Sequence, residues 1–304
     1  MKLLIITHNT NFLQWVDKYD DKVKIIKYDT DWGFRKIYKL IFYIRIRILS
    51  YFYDVIFCDF FTFLTSWTSH ASSKPIYIRL HRYEIHNPNL LLNVNIKNIK
   101  TIITVSQYYK SLVIEVLGGN IPVVVVPNGI DTNIFKFESK VNSPLKICTL
   151  GLLIPRKRVF DLIVNNPELK INIGGKGIEK ITLETIIKKF KIKAKLHGFV
   201  KLPSFYYDHD IFLMNSSDES FGVSMIEAMS CGLIPLCFSW GGIEEILPQE
   251  NIYKNYAELN DKLKLLNNHS DDELLKIKHK MRKLVEEKYT LKIQVNKFIK
   301  LFSE

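Results

Sequence analysis

Ser216-Ser217-Asp218-Glu219-Ser220-Phe221-Gly222-Val223-Ser224-Met225-Ile226-Glu227-Ala228-Met229-Ser230-Cys231-Gly232 decides the reading of this 304-residue chain. The run follows an apolar, strand-like stretch, Asp210 to Met214, and becomes helix-forming from about Val223. A strand, a short Ser/Gly turn and a helix start together make an anion site. The first helical N–H groups have no partner within the helix, and the helix dipole is positive there. Two acids share the run, Glu219 in the turn and Glu227 one helical turn in. Carboxylates in such a place suit neutral hydroxyl donors, as on a ribose or a hexose. Phosphate donors and hydroxyl acceptors in one turn suggest a sugar nucleotide.

Outward from this run, short β-rich runs alternate with amphipathic stretches. Lys2–Thr7, Val23–Tyr28, Asp54–Cys58, Ile76–Leu80, Thr101–Val105 and Val123–Val126 have the continuous apolar character of buried parallel strands. The polar, turn-rich segment Phe137–Pro144 is the best linker candidate. A second series follows: Lys146–Gly151, Lys170–Ile173, Ala194–Leu196, Asp210–Met214, Leu233–Phe238 and Asn251–Tyr253. Helical segments near Val159–Val164, Thr182–Phe190, Val223–Ser230 and Asp271–Tyr289 separate these strands. Two successive α/β sheets imply two Rossmann-like domains facing each other across a cleft. The expected division is 1–141, 142–285, and a C-terminal helix, 286–304, returning to the N-terminal domain.

Composition bounds the function. Hydrophobic residues make up 47% of the chain, which places it among globular proteins. Arg45, Arg47 and Asp54 interrupt the longest apolar stretches before they reach the length of a membrane span. Four cysteines show no CxxC or zinc spacing and fit reduced, buried thiols in a cytoplasmic protein. The formal charge of +12 calls for an anionic partner, such as lipid headgroups, nucleic acid or phosphorylated substrates, or else is solvated. No zinc-finger or RNP-type motif supports nucleic acid.

Several motifs in order carry a resemblance. Glu219 and Glu227, with Phe221-Gly222 between them, resemble the E-x7-E signature of the retaining family-4 glycosyltransferases of GT-B fold. Gly241-Gly242-Ile243-Glu244-Glu245 resembles the GG-x-x-E turn of that family. Upstream, His197-Gly198-Phe199-Val200, Gly174-Gly175-Lys176-Gly177 and Gly151 through Pro155-Arg156-Lys157-Arg158 resemble its strand-end and loop motifs. In the first half, Thr104-Val105-Ser106, Val126-Pro127-Asn128-Gly129-Ile130-Asp131 and Leu80-His81 do the same.

The resemblance implies site roles. Glu227 would bind the donor ribose and Glu219 a hydroxyl of the transferred sugar. The main chain at Phe221, Gly222, Val223 and Ser224 would meet sugar and phosphates, and Gly198, Phe199 and Val200 would border the base. Arg156 and Lys157 would neutralise the diphosphate leaving group. The usual arginine position of the family is here Leu152, a departure for which Arg156 or Arg158 is the candidate substitute. His81 would face the reaction centre, and the His8–Asn11 turn the acceptor side.

Two acidic triplets, Asp29-Thr30-Asp31 and Asp208-His209-Asp210, look like metal-binding DxD motifs but do not sit with the phosphate turn; neither a metal nor a cofactor is expected. Phe34–Tyr53 holds five basic residues and no acid, with Ile37, Leu40, Ile41, Ile44 and Ile48 at helical spacing. Two readings of this segment stand side by side. One is an interfacial helix on an anionic membrane, and the other is a core helix with a basic outer face. The expected activity is metal-independent, retaining transfer of a hexose from a UDP- or GDP-linked sugar to a hydroxyl of a glycan, lipid-linked or similar acceptor. It would take place in the cytoplasm or at the inner face of a membrane. Rival readings are an epimerase or sugar phosphorylase of the same fold, and a basic nucleic-acid-binding or nucleic-acid-modifying protein.

Overall fold

The computed structural model describes residues 1–19, 22–28, 35–86 and 93–304. The triplet Asp29-Thr30-Asp31 and Phe34 lie outside the described residues, as do the side chains of Arg35 and Lys36. The first run of elements is β1 (Leu3–Thr7), β2 (Val23–Lys27), α1 (Arg35–Phe52), β3 (Val55–Asp59), α2 (Phe63–Ala71), β4 (Ile76–Arg79), α3 (Arg82–Ile85), β5 (Ile99–Thr104), α4 (Gln107–Leu117) and β6 (Val123–Val125). The second run is β7 (Ile147–Leu150), α5 (Val159–Asn165), β8 (Ile171–Gly174), α6 (Lys180–Lys189), β9 (Ala194–Gly198), α7 (Ser204–Tyr207), β10 (Ile211–Met214), α8 (Val223–Ser230), β11 (Ile234–Phe238), β12 (Ile252–Tyr253), α9 (Tyr256–Asn267) and α10 (Asp271–Lys288). One more helix, α11 (Leu291–Ser303), ends the chain.

These elements form two units. Met1–Gly129 together with Leu291–Glu304 make the first, and Ile130–Thr290 the second. Each holds one six-stranded parallel sheet, in the orders β2-β1-β3-β4-β5-β6 and β12-β11-β10-β7-β8-β9. Every residue of β1, β3, β4 and β10 is buried, as expected of parallel strands covered on both faces. The architecture is α/β, of GT-B type.

In the first unit one sheet face packs Leu4, Ile56, Ile78 and Ile102 beneath Phe42 and Ile46 of α1. On the other face, Ile5, Phe57 and Ile103 meet Trp15 and the α11 side chains Val295 and Phe298. Trp15 and Phe298 stack with ring centroids 4.4 Å apart. In the second unit one large cluster gathers around Ile173, Leu213 and Leu236.

The division runs between Gly129 and Ile130, ahead of the expected boundary at 141, and the return to the first unit begins at Leu291. The polar stretch Phe137–Pro144 therefore belongs to the second unit, to which hydrogen bonds tie it. Glu138 N donates to Cys231 O (3.3 Å) and Asn142 N to Asp210 Oδ1 (3.0 Å), while Lys278 Nζ donates to Lys140 O. Asp210 and Lys278 form an ion pair with both side chains almost fully buried (2.8 Å). The Asp208–Asp210 triplet is thus part of a structural clamp. All four cysteines are free and buried. Among the described residues no helix is long and apolar enough to cross a membrane.

Candidate active site

In the second sheet the strand order reverses direction between β7 and β10, the place where doubly wound folds bind ligands outside the carboxyl ends of their strands. The loops leaving these two strands are tied to each other. Ser217 N donates to Arg156 O (3.0 Å), Asn215 Nδ2 to Arg158 O (2.8 Å), and Arg156 Nη1 to Asp218 O. The loop after β10 turns into α8 at Gly222, whose φ of 73° lies in the left-handed region. A Cβ there would also crowd Met214 Sδ at 3.2 Å. The first helical hydrogen bond comes from Met225 N to Gly222 O, so the amides of Val223 and Ser224 precede the ladder and point out of the helix start. Phe221 anchors this turn from below, buried edge-on against Tyr289.

Glu219 is buried at the same place and held by two cations. Lys157 Nζ donates to Glu219 Oε1, and Arg156 Nη1 lies 3.1 Å from the same oxygen. Burial opposes the charge on Glu219, but Lys157 and Arg156 outweigh it and hold the carboxyl below its ordinary range. Arg158 points elsewhere. Its Nε binds Asp161 Oδ2 (2.9 Å) and its guanidinium covers the Phe238 ring at 4.4 Å. Of the two arginines offered for the Leu152 position, only Arg156 reaches Glu219. Leu152 itself is 61% exposed.

One helical turn into α8, Glu227 accepts a hydrogen bond from Tyr206 Oη (3.0 Å), which also reaches Ser224 O (3.1 Å). Burial lifts the Glu227 carboxyl to about 7. The sequence reading did not single out Tyr206. Its only signal is the aromatic run Phe205-Tyr206-Tyr207 ahead of β10.

The loops after β7, β8 and β9 stack backbone on backbone. Gly175, at φ 131°, donates to Gly198 O (2.6 Å), and a Cβ on it would stand 1.8 Å from Gly151 O. No side chain fits, which is the physical reason for glycine there. Beyond Gly198 the Phe199 ring is 79% exposed with Lys176 Nζ 5.3 Å from its centre, while Val200 packs toward Gly174.

His81 belongs to the first unit, just past β4. Its Nε2 lies 3.0 Å from Asp59 Oδ1, and Arg79 grips the same carboxylate through Nε (2.7 Å) and Nη2 (3.0 Å). Phe60, in the left-handed region at φ 76°, stacks on the His81 ring with centroids 4.0 Å apart. Burial lowers the His81 pKa, against the pull of Asp59, so the ring is neutral near pH 7. Asp59 is also opposed by burial, but Arg79 holds it ionised. Beside them, Glu84 accepts from His81 N (2.8 Å), and burial raises its carboxyl to about 7. His8, after β1, sits 4.5 Å from the Phe60 ring, so the expected acceptor-side turn borders this cluster. Among the described residues no group of three His, Cys, Asp or Glu side chains is arranged to hold a metal ion.

Residues 131–285, just over half of the chain, match the family model for glycosyl transferases group 1. The chain belongs to that family. Among curated relatives of this chain, one human phosphatidylinositol N-acetylglucosaminyltransferase component is 29% identical over 178 residues, covering 54% of this chain and 37% of the relative. An uncharacterised glycosyltransferase of Methanocaldococcus jannaschii is 28% identical over 239 residues, 65% of this chain and 60% of that protein. The chain spans about a third of the length of the first curated relatives it matches, 32% and 37%. Among solved structures, Anabaena HepE in complex with UDP-glucose superposes with a TM-score of 0.79, covering 100% of this chain and 99% of the other at 15% identity. That likeness concerns the fold.

Proposed function

We propose that this glycosyltransferase moves a hexose from a nucleoside diphosphate sugar to a hydroxyl of a glycan or lipid-linked acceptor in the cytoplasm, with retention at the anomeric carbon and without a metal. The observation that carries the proposal is the set Glu219, Lys157 and Arg156 gathered beside the start of α8, at the point where the strand order reverses. The α8 start offers amides to a phosphate, and the two cations oppose the charge that builds on the diphosphate as the glycosidic bond breaks. A lysine ammonium has three donors, so Lys157 can hold Glu219 and still reach a phosphate oxygen. Glu219 then accepts from a hydroxyl of the transferred sugar, and Glu227, supported by Tyr206, from the ribose. The departing phosphate takes the acceptor proton on the same face, so positioning and charge stabilisation supply the catalysis.

The relatives named for N-acetylglucosaminyl transfer and the UDP-glucose complex of HepE make UDP-linked sugars the first donors to try. A donor that binds only the folded state raises the melting temperature. The expected result is a shift with one nucleotide sugar and, with acceptor present, release of free nucleoside diphosphate and an axial-to-axial product by NMR. No shift with any UDP-, GDP- or ADP-sugar would overturn the reading, and an inverted product would overturn the retaining course.

A further inference from the structure

Helix α1 has two apolar faces. One, through Phe42, Ile46 and Ser50, is buried on the first sheet. The other carries Ile37, Leu40, Ile41, Ile44, Ile48 and Phe52, all between 52% and 64% exposed. This outward face is the reverse of the basic outer face that a purely core-packed helix would have. At about 100° per residue, Arg45 and Arg47 stand about 80° to either side of the line through Ile37, Ile44 and Ile48. Both arginines are exposed, one reaching Tyr28 Oη (3.4 Å) and the other covering the Tyr51 ring at 5.8 Å. The helix contains no acidic residue along its 18 positions.

We propose that α1 lies flat in the headgroup region of an anionic lipid bilayer, with its isoleucine face among the acyl chains and Arg45 and Arg47 on lipid phosphates. A helix of 18 residues is about 27 Å long, and it fails the requirements for a membrane span. An outward apolar strip with a cation on each flank is the geometry of an interfacial helix. Charge decides between occupants. A second copy docked on this face would bring arginine toward arginine with no carboxylate on the helix to meet them, whereas anionic headgroups complement both. Binding by α1 is independent of sugar transfer, although it would bring a lipid-linked acceptor to the protein.

Flotation of the whole chain with vesicles of phosphatidylcholine, alone or mixed with phosphatidylglycerol, tests this without any activity readout. The expected result is binding to the anionic vesicles that weakens at high salt. Ile44→Glu with Ile48→Glu should abolish it, and Arg45→Ser or Arg47→Ser should weaken it about fivefold each. Because the substituted side chains are exposed, the variants should melt with the wild type, which confirms that they fold. No flotation of folded protein, equal binding to neutral vesicles, or undiminished binding by the double glutamate variant would each overturn the proposal. So would a concentration-dependent dimer seen by light scattering and lost in that variant, which would give the face to a second copy.

Discussion

At the residue scale the site is governed by two glutamates that burial treats differently. Glu219 has Lys157 and Arg156 beside it and stays ionised, whereas Glu227 has only a neutral phenol and rises to about 7. Between its ordinary value of 4.5 and about 7, the folded state keeps the Glu227 proton that the unfolded chain has released. The folded state binds more protons in that window, so this group's contribution to stability falls as pH rises through it. Donor binding should run the other way, because ribose hydroxyls donate more strongly to a carboxylate than to an acid. We therefore expect donor affinity, measured by calorimetry, to increase as pH climbs through about 7, and Glu227→Gln to flatten that slope while weakening binding about tenfold or more. Parallel slopes in the two proteins would count against the ribose assignment. Lys157→Ala should lower kcat about 100- to 1000-fold with a smaller change in donor KM, since in the proposed clamp it acts on charge that appears in the transition state. A change confined to KM would place Lys157 outside the diphosphate clamp.

Among elements, the β10–α8 connection shows how much of the site was legible in the chain itself. A strand, a serine-rich turn, a glycine and a helix start have to be neighbours in sequence, so local pattern suffices to find them. Gly222 permits the sharp entry into α8, and Gly222→Ala should cost about 1–2 kcal/mol from the left-handed backbone alone. Chemical denaturation would measure that loss, and an unchanged midpoint would mean that the turn relaxes around the methyl group. What was not legible are partners far apart in sequence. Tyr206 meets Glu227 only because α7 packs beneath α8, and Asp59, Arg79 and His81 meet only because β3 and β4 are neighbours. Asp59 and Arg79 close their strands and read in the sequence as strand ends, although both are fully buried. Helix α9 carries its own signals, a capping Asn255 and buried Leu259, Leu263 and Leu266, which a reading led by strands passes over. Helix α1 misleads in another way, because apolar spacing alone does not say that four of its five isoleucines face outward.

For the molecule as a whole, most strands among the described residues were readable because parallel sheets bury both faces and leave continuous apolar runs. The domain boundary was less so, since Phe137–Pro144 has a linker's composition yet is fastened to the second unit by Asp210 and Lys278. Lys278→Ala should destabilise the second unit by about 3–5 kcal/mol, because it leaves Asp210 buried and unpaired. Differential scanning calorimetry would show this as a lowered transition, and an unchanged one would mean that Asn142 and the Lys146 amide satisfy Asp210 alone.

The first unit is discontinuous, and that bears on how the protein is made. The second unit is one unbroken stretch, Ile130–Thr290, and can close while it leaves the ribosome. The first unit cannot, because Trp15 and Phe57 pack against Phe298 of α11, which is synthesised almost three hundred residues after Met1. Until α11 emerges, one face of the earlier sheet stays open, and a chaperone that shields aromatic surface would find a long-lived target there.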